Sequence, residues 1–274
     1  MLDWELRESF ASEQGEIRWD VLGDGPPVVL VHGTPFSSYV WAEIARGLAA
    51  HHTVYVWDLA GYGSSEMADG QDVSLAAQAR ILAALLAHWE LAAPAMVGHD
   101  FGGAVALRAH LLEGAVYDRL ALVDAVSVTP WGTGFFQLAR EHADVLQRLP
   151  DPLHDAMVRG YVTWPASHHL DGQVVDRLAA PWTGVTGRAA LYRQIVQNDA
   201  SMTDEIQPRY GDLDLPVLIV WGEDDAWLPL AQAHELHELI PGSRLVTIPE
   251  ANHLIQFDAP ARLTVELADF LAGG

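Results

Sequence analysis

The sequence predicts an α/β protein: a mostly parallel central sheet flanked by helices, with a helical segment inserted between two of its strands. Three observations carry that expectation. Short apolar, β-branched runs recur along the chain, separated by helix-like stretches. One interval, residues 129–208, breaks the alternation with helical sequence rich in Trp, Tyr, Phe and His and no run of buried-strand character. A glycine-flanked turn, Gly98-His99-Asp100-Phe101-Gly102, joins one apolar run directly to a helical pattern.

Taken in order, Glu16-Ile17-Arg18-Trp19-Asp20 alternates as a half-buried strand does, and Gly23-Asp24-Gly25-Pro26-Pro27 ends it. Val28-Val29-Leu30-Val31 is uninterrupted, the mark of a strand covered on both faces. Val54-Tyr55-Val56-Trp57, Ala95-Met96-Val97, Leu120-Ala121-Leu122-Val123, Val217-Leu218-Ile219-Val220 and Leu245-Val246-Thr247-Ile248 repeat that character. Helices are expected over residues 74–88, 102–112, 230–240 and 259–271. The expected division is a core of residues 1–128 and 209–274 and a helical cap of residues 129–208 over the C-terminal ends of the strands, where open α/β sheets place ligands.

Composition narrows the partners. The chain has 274 residues, half of them hydrophobic, which suffices for one large core. Every one of its 15 basic residues is arginine, and 37 acidic residues leave a formal charge of −22. Such a surface repels phosphate backbones and anionic membranes, so neither nucleic acid nor membrane is an expected partner. With no cysteine, disulfides, thiol nucleophiles and thiolate metal sites are excluded. The start Met1-Leu2-Asp3-Trp4-Glu5 lacks the basic and apolar regions of a signal peptide, and no apolar run reaches membrane-spanning length, so a soluble, cytoplasmic protein is expected. Oligomeric state is left open.

The turn at Asp100 has the form Gly-x-nucleophile-x-Gly, with aspartate at the centre. Glycine is needed two residues to either side because the turn crowds neighbouring backbone. A serine there must lose a proton to attack, whereas an aspartate of ordinary pKa, about 4, is already anionic at neutral pH. A carboxylate opens amides poorly but displaces halides and strained epoxide oxygens from saturated carbon. Pro249-Glu250-Ala251-Asn252-His253 follows the last expected strand and brings His253 to the same sheet edge. Trp221-Gly222-Glu223-Asp224-Asp225 follows the preceding strand and offers Asp225 as the acid that orients His253. Asp124, at the end of the strand after the elbow, is the alternative acid.

The order nucleophile, acid, histidine, together with His32-Gly33-Thr34-Pro35 and Asp58-Leu59-Ala60-Gly61-Tyr62-Gly63-Ser64-Ser65, resembles the α/β-hydrolase superfamily over nearly the whole chain. The aspartate elbow resembles the branch holding epoxide hydrolases, haloalkane dehalogenases and haloacetate dehalogenases. That resemblance implies the α/β-hydrolase fold, no cofactor, and an alkyl ester formed on Asp100 and hydrolysed by water that His253 activates. It further implies an oxyanion hole from the backbone N–H groups of Thr34 and Phe101. The implied partners are a small apolar electrophile and water.

The leaving group is the open choice. Epoxide opening leads, because Leu191-Tyr192-Arg193 is similar to the element carrying a ring-opening tyrosine in epoxide hydrolases, with Tyr161 as the second. Haloalkane dehalogenation is the alternative. Relatives in that group hold halide with asparagine or tryptophan at the positions of Thr34 and Phe101, so here halide donors must come from Trp131, Trp164, Trp182 or Trp227. Haloacid substrates fit less well, since Phe101 and Val105 stand where carboxylate-clamping arginines are expected. A receptor that kept the pocket and lost turnover is the reading of a different class. His32 and His99 are expected to be structural, and His168 and His169 solvent-exposed. His234 and His237, at i and i+3, lack a third ligand, so no metal is expected.

Overall fold

The computed structural model describes residues 4–168 and 170–273. Its eight strands are β1 Glu8–Ser12, β2 Gly15–Leu22, β3 Pro27–Val31, β4 Thr53–Trp57, β5 Ala95–Asp100, β6 Arg119–Ala125, β7 Val217–Gly222 and β8 Arg244–Ile248. They form one sheet in the spatial order β1-β2-β4-β3-β5-β6-β7-β8. β2 pairs antiparallel with β1 and β4, and all other neighbours are parallel. The helices are α1 Ala42–Leu48, α2 Leu75–His88 and α3 Phe101–Leu112, then α4 Gly134–Glu141, α5 Ala143–Leu146, α6 Asp151–Thr163, α7 Gly172–Ala179, α8 Gly184–Val196 and α9 Ser201–Asp204. After β7 come α10 Leu230–Leu239, α11 Ile255–Asp258 and α12 Pro260–Leu271.

All seven strand segments read from the sequence lie inside observed strands, because uninterrupted apolar runs have nowhere to go but a sheet covered on both faces. Val28, Val29, Leu30 and Val31 are fully buried. Helix α2 starts where Ser74 caps it, the Ser74 side chain accepting the Ala77 N–H at 3.2 Å. It buries Leu75, Ile81, Leu82 and Leu85, and α12 buries Leu263, Leu267 and Phe270 at helical spacing. Outside residues 129–208, three of these elements, β1, α1 and the single-turn α11, have no counterpart in the residue pattern. Strand β1 carries Phe10 as its single large apolar residue; an edge strand half open to solvent needs no alternation to be stable. Helix α1 is only two turns long, too short for its periodicity to stand out.

Along the chain, β3 is followed by β4 on one side of it and then by β5 on the other. Loops leaving β3 and β5 therefore diverge and leave a crevice at their C-terminal ends. Between β6 and β7 the chain passes through α4–α9, with no strand among the described residues. That segment is bound to the loops at the crevice. The Trp182 indole N–H donates to Pro35 O at 2.6 Å, the Thr34 hydroxyl donates to Gln194 at 2.9 Å, and the Leu254 N–H donates to Pro165 O at 2.9 Å. Among the described residues no helix is long and apolar enough to cross a membrane. His168 is exposed beside Asp258; His169 lies outside the described residues.

Two glycines of opposite character test this packing. A Cβ on Gly102 would sit 2.3 Å from Val31 O, whereas one on Gly160, in the exposed interior of α6, would meet nothing within 4 Å. Gly160→Ala is expected to raise stability by about 0.5–1 kcal/mol. Gly102→Ala is expected to lose more than about 2 kcal/mol, since backbone cannot yield as a side chain does. Urea unfolding midpoints check both.

Candidate active site

Asp100 is the last residue of β5, and α3 begins at the next residue with no loop between. Only a sharp reversal at Asp100 makes that junction possible, and its φ of +52° is the left-handed value a non-glycine residue seldom adopts. The glycines do what the spacing implied. A Cβ on Gly98 would meet Gly102 O at 2.5 Å, and one on Gly33 would meet the Asp100 Cβ at 2.3 Å. So close an approach sets the Thr34 N–H 2.7 Å from Asp100 Oδ1. The Phe101 N–H, at the N-terminus of α3, makes no hydrogen bond to that carboxylate here, although Phe101 packs beside it.

His253 follows β8 and is fully buried. Its Nε2 lies 3.3 Å from Asp100 Oδ2, and its Nδ1 lies 2.9 Å from Asp225 Oδ2. Asp225 is fixed in turn, its Oδ1 accepting the N–H groups of Trp227 and Leu228 at 2.7 and 2.8 Å. Burial alone would depress the His253 pKa, but the flanking anions of Asp225 and Asp100 and their hydrogen bonds hold it well above the ordinary imidazole range. The alternative acid, Asp124, is also buried here, its Oδ1 accepting the Gly222 N–H at 2.8 Å, but Nδ1 of His253 pairs with Asp225. Desolvation and the neighbouring Asp225 push the Asp124 carboxyl well above the usual carboxylate range.

The two other histidines singled out near the elbow serve as scaffold. His32 Nε2 accepts the Leu59 N–H at 3.0 Å, which leaves Nδ1–H to donate to Gly33 O at 2.9 Å. His99 donates from Nε2 to His253 O at 2.9 Å and packs its ring 4.8 Å from that of His253. Burial, then the neighbouring His253, depress His99 to about 3, so it is a neutral spacer at any ordinary pH. His237 Nδ1 is 2.8 Å from the Ser243 hydroxyl, and no group of three or more acidic or histidine side chains among the described residues is arranged to hold a metal.

A cavity of about 20 Å³ lies against Asp100 and Thr34, walled by Phe101, Trp131, Phe136, Tyr161 and Trp227. That is room for about one water. The tyrosines and tryptophans named from sequence separate clearly. Tyr161 lines the cavity and stacks on Trp227 with ring centroids 4.9 Å apart. Burial, aided by Asp100, keeps its hydroxyl protonated. Tyr192 does not reach the cavity: its hydroxyl faces His154 Nδ1 at 3.5 Å and Met157 Sδ at 3.8 Å, because helical spacing turns it away from the face that meets Thr34. Trp131 walls the cavity with its ring, but its N–H is bound to the Thr203 hydroxyl at 2.8 Å. Trp182 is bound to Pro35 O, and Trp164 is 46% exposed. Of the four tryptophans, Trp227 alone is buried with an indole N–H that has no protein partner.

Three contributors escaped the sequence reading. Gln194 sits on α8 two residues beyond Tyr192 and accepts from the Thr34 and Tyr62 hydroxyls, each at 2.9 Å. Asp258 accepts the N–H groups of Asn252, Ser167 and His168, tying the histidine loop to the segment after α6. Nothing in the local sequence of either marks these long-range bonds. Tyr62 stood inside a quoted motif without a role.

The comparisons agree with this architecture. A model of the alpha/beta hydrolase family matches residues 28–267. A crystal structure of an alpha/beta hydrolase fold protein from Burkholderia ambifaria is 42% identical and superposes with a TM-score of 0.94, covering 97% of this chain and 98% of its own. An uncharacterized protein of Mycobacterium tuberculosis is 32% identical over 254 residues, 88% of this chain and 74% of that protein. Haloalkane dehalogenase 2 of the same organism is 25% identical over 274 residues, 95% of this chain and 93% of that enzyme. The match over residues 28–267, on a sheet of this order, makes the chain a member of the alpha/beta hydrolase family and a hydrolase.

Proposed function

We propose that this hydrolase uses Asp100 to displace halide from a small apolar haloalkane and releases the resulting ester with water activated by His253, residues 129–208 serving as its cap. The observation that carries the reading is a carboxylate against the cavity with one oxygen, Oδ1, held by the Thr34 N–H and the other, Oδ2, facing His253. In the first step Oδ2 attacks carbon and the carbon–halogen bond breaks, its electron pair leaving with halide. Trp227 lines the cavity and carries a buried indole N–H with no protein partner, and it is the proposed donor for that ion. In the second step His253 takes a proton from water, and the oxygen formed attacks Cγ of the ester. Charge then develops on Oδ1, where Thr34, assisted by Phe101 at the helix N-terminus, stabilises it. Collapse expels the alkoxide, which takes the proton from His253 to become alcohol; the carboxyl proton then passes to His253, restoring ionised Asp100, and the proton the imidazole released to solvent after alkylation balances the halide.

Electrostatics orders the two steps. While Asp100 is ionised, His253 lies between two anions and keeps its proton. Alkylation removes one of those charges, so the imidazole becomes a base only once an ester exists to hydrolyse. Haloalkane dehalogenase 2, by its name, acts on haloalkanes, which supports this choice of leaving group. Epoxide opening, which the sequence favours, remains a second reading on the strength of Tyr161 alone.

His253→Gln should accumulate the ester, and intact mass distinguishes the readings. A haloalkane adds its mass less hydrogen halide, an epoxide adds its whole mass, and absence of adduct with either class overturns the reading. Trp227→Phe should slow alkylation about 10- to 100-fold, the worth of one hydrogen bond to a charged group, and leave hydrolysis of a preformed ester unchanged in single-turnover traces. Since the folded pKa of His253 is raised, its protonation contributes stability that is complete below the unfolded value of about 6.5 and fades as pH rises through the raised one. Asp100→Asn, lacking one anion, should release the imidazole proton at lower pH than the parent, read from ¹⁵N shifts.

A further inference from the structure

Asp124 has two oxygens in different circumstances. Oδ1 accepts the Gly222 N–H, whereas Oδ2 is buried without any donor in reach. The carboxyl of Asp225 is close enough to the Asp124 carboxyl to act on it directly. Two acceptors facing each other in a dry interior repel unless a proton lies between them. The position is built rather than incidental. Pairing of β5 with β6 runs in step to His99 opposite Val123 and then skips, so that Asp100 stands opposite Ala125 and Asp124 is the bulged residue. Its φ is +39°, a strained value for a non-glycine side chain, and a bulge beside a site is how a strand end re-aims a residue. Here Asp124 reaches across the sheet to the Gly222 N–H at the end of β7, while His253 Nδ1 pairs with Asp225.

Resting on the reading of His253 as base and Asp225 as its acid, we propose that Asp124 is a positioning residue that carries a proton at neutral pH and donates it as a hydrogen bond to Asp225. The Asp124 carbonyl oxygen accepts from Gly222 and its hydroxyl gives to Asp225, so both of its oxygens are satisfied. Asp225 then receives four donors: the N–H groups of Trp227 and Leu228, His253 Nδ1–H and the Asp124 hydroxyl. Charge balance favours the same arrangement. The groups facing one another are Asp100, Asp124, Asp225 and His253, with His99 neutral behind them. With all three carboxyls ionised, the cluster buries a net charge of minus two even when the imidazole is protonated; a proton on Asp124 halves it. Asp225 is left as the single anion on Nδ1, and its orientation no longer depends on the loop alone.

Infrared spectroscopy of the parent enzyme tests this without turnover. At neutral pH the difference spectrum of parent against Asp124→Asn should contain the carbonyl stretch of a protonated carboxylic acid. Loss of only ionised-carboxylate bands would overturn the proposal. A second arm uses activity on whichever electrophile labels His253→Gln. Asp124→Ala should lower kcat/KM about tenfold and move the ¹⁵N titration of His253, while Asp124→Asn, which keeps one acceptor and one donor, should recover to within about threefold with the titration restored. If Asp124→Asn instead lost about a hundredfold or more, as expected for an ionised acid, the proton would be misplaced. Should no electrophile label the protein, the reaction reading fails while the infrared result still decides where the proton sits.

Discussion

The close approach of two backbones at the ends of β3 and β5 is the constraint on which the site depends. Gly33, Gly98 and Gly102 each stand where a Cβ would come within 2.5 Å of a neighbouring atom. Because none is there, the turn at Asp100 closes in one residue, Asp100 stands at the end of a strand, and Thr34 arrives with its N–H aimed at one carboxylate oxygen. The strain at Asp100 is borne by fully buried strands on either side, whose packing leaves the turn no relaxed alternative. Here that geometry gives the two Asp100 oxygens different neighbours, Oδ1 the Thr34 N–H and Oδ2 the His253 ring.

Around that carboxylate the protein buries more acid than a single histidine can neutralise. Distances set the order of influence: Asp225 touches Nδ1 at 2.9 Å and Asp100 stands off at 3.3 Å from Nε2. On the proposed reaction the longer contact is the one to be broken and remade, so a weak pairing there and a strong one behind would suit a base held in place while its other face changes partner. His99, neutral and hydrogen-bonded to the His253 carbonyl, adds rigidity without adding charge.

The helices between β6 and β7 meet the sheet through polar bonds and aromatic faces together. Gln194 joins α8 to the Thr34 loop, Asp258 joins the histidine loop to the residues after α6, and Trp227 stacks between Phe36 and Tyr161. The cavity beside Asp100 has room for about one water, so a larger molecule fits there only if this wall shifts. Movement of α8 or of the segment after α6 would strain the bonds to Thr34 and to the Asn252 loop, so the position of these helices and the geometry around Asp100 and His253 are mechanically linked.

Much of this was legible in the residues. Apolar runs such as Val28-Val29-Leu30-Val31 can only be buried strands, and the glycine spacing about Asp100 can only be a tight crossing, since both follow from local sterics and burial. The sequence by itself therefore determined the α/β sheet, the elbow and the candidates Asp100, His253 and Asp225. Edge strand β1 was not legible, for a strand with one face open to solvent carries no periodic signal. Only the tertiary structure decided which acid faces Nδ1, which of Trp131, Trp164, Trp182 and Trp227 is buried with an unpartnered N–H, and that Tyr192 turns away while Gln194 turns in. Those outcomes depend on a bulge at Asp124, on helix rotation in α8 and on partners such as Thr203 and Pro35, far from these side chains in sequence. Local sequence encodes a residue's chemistry and its backbone preferences, whereas the donor or acceptor it meets is set by packing between segments that no local pattern specifies.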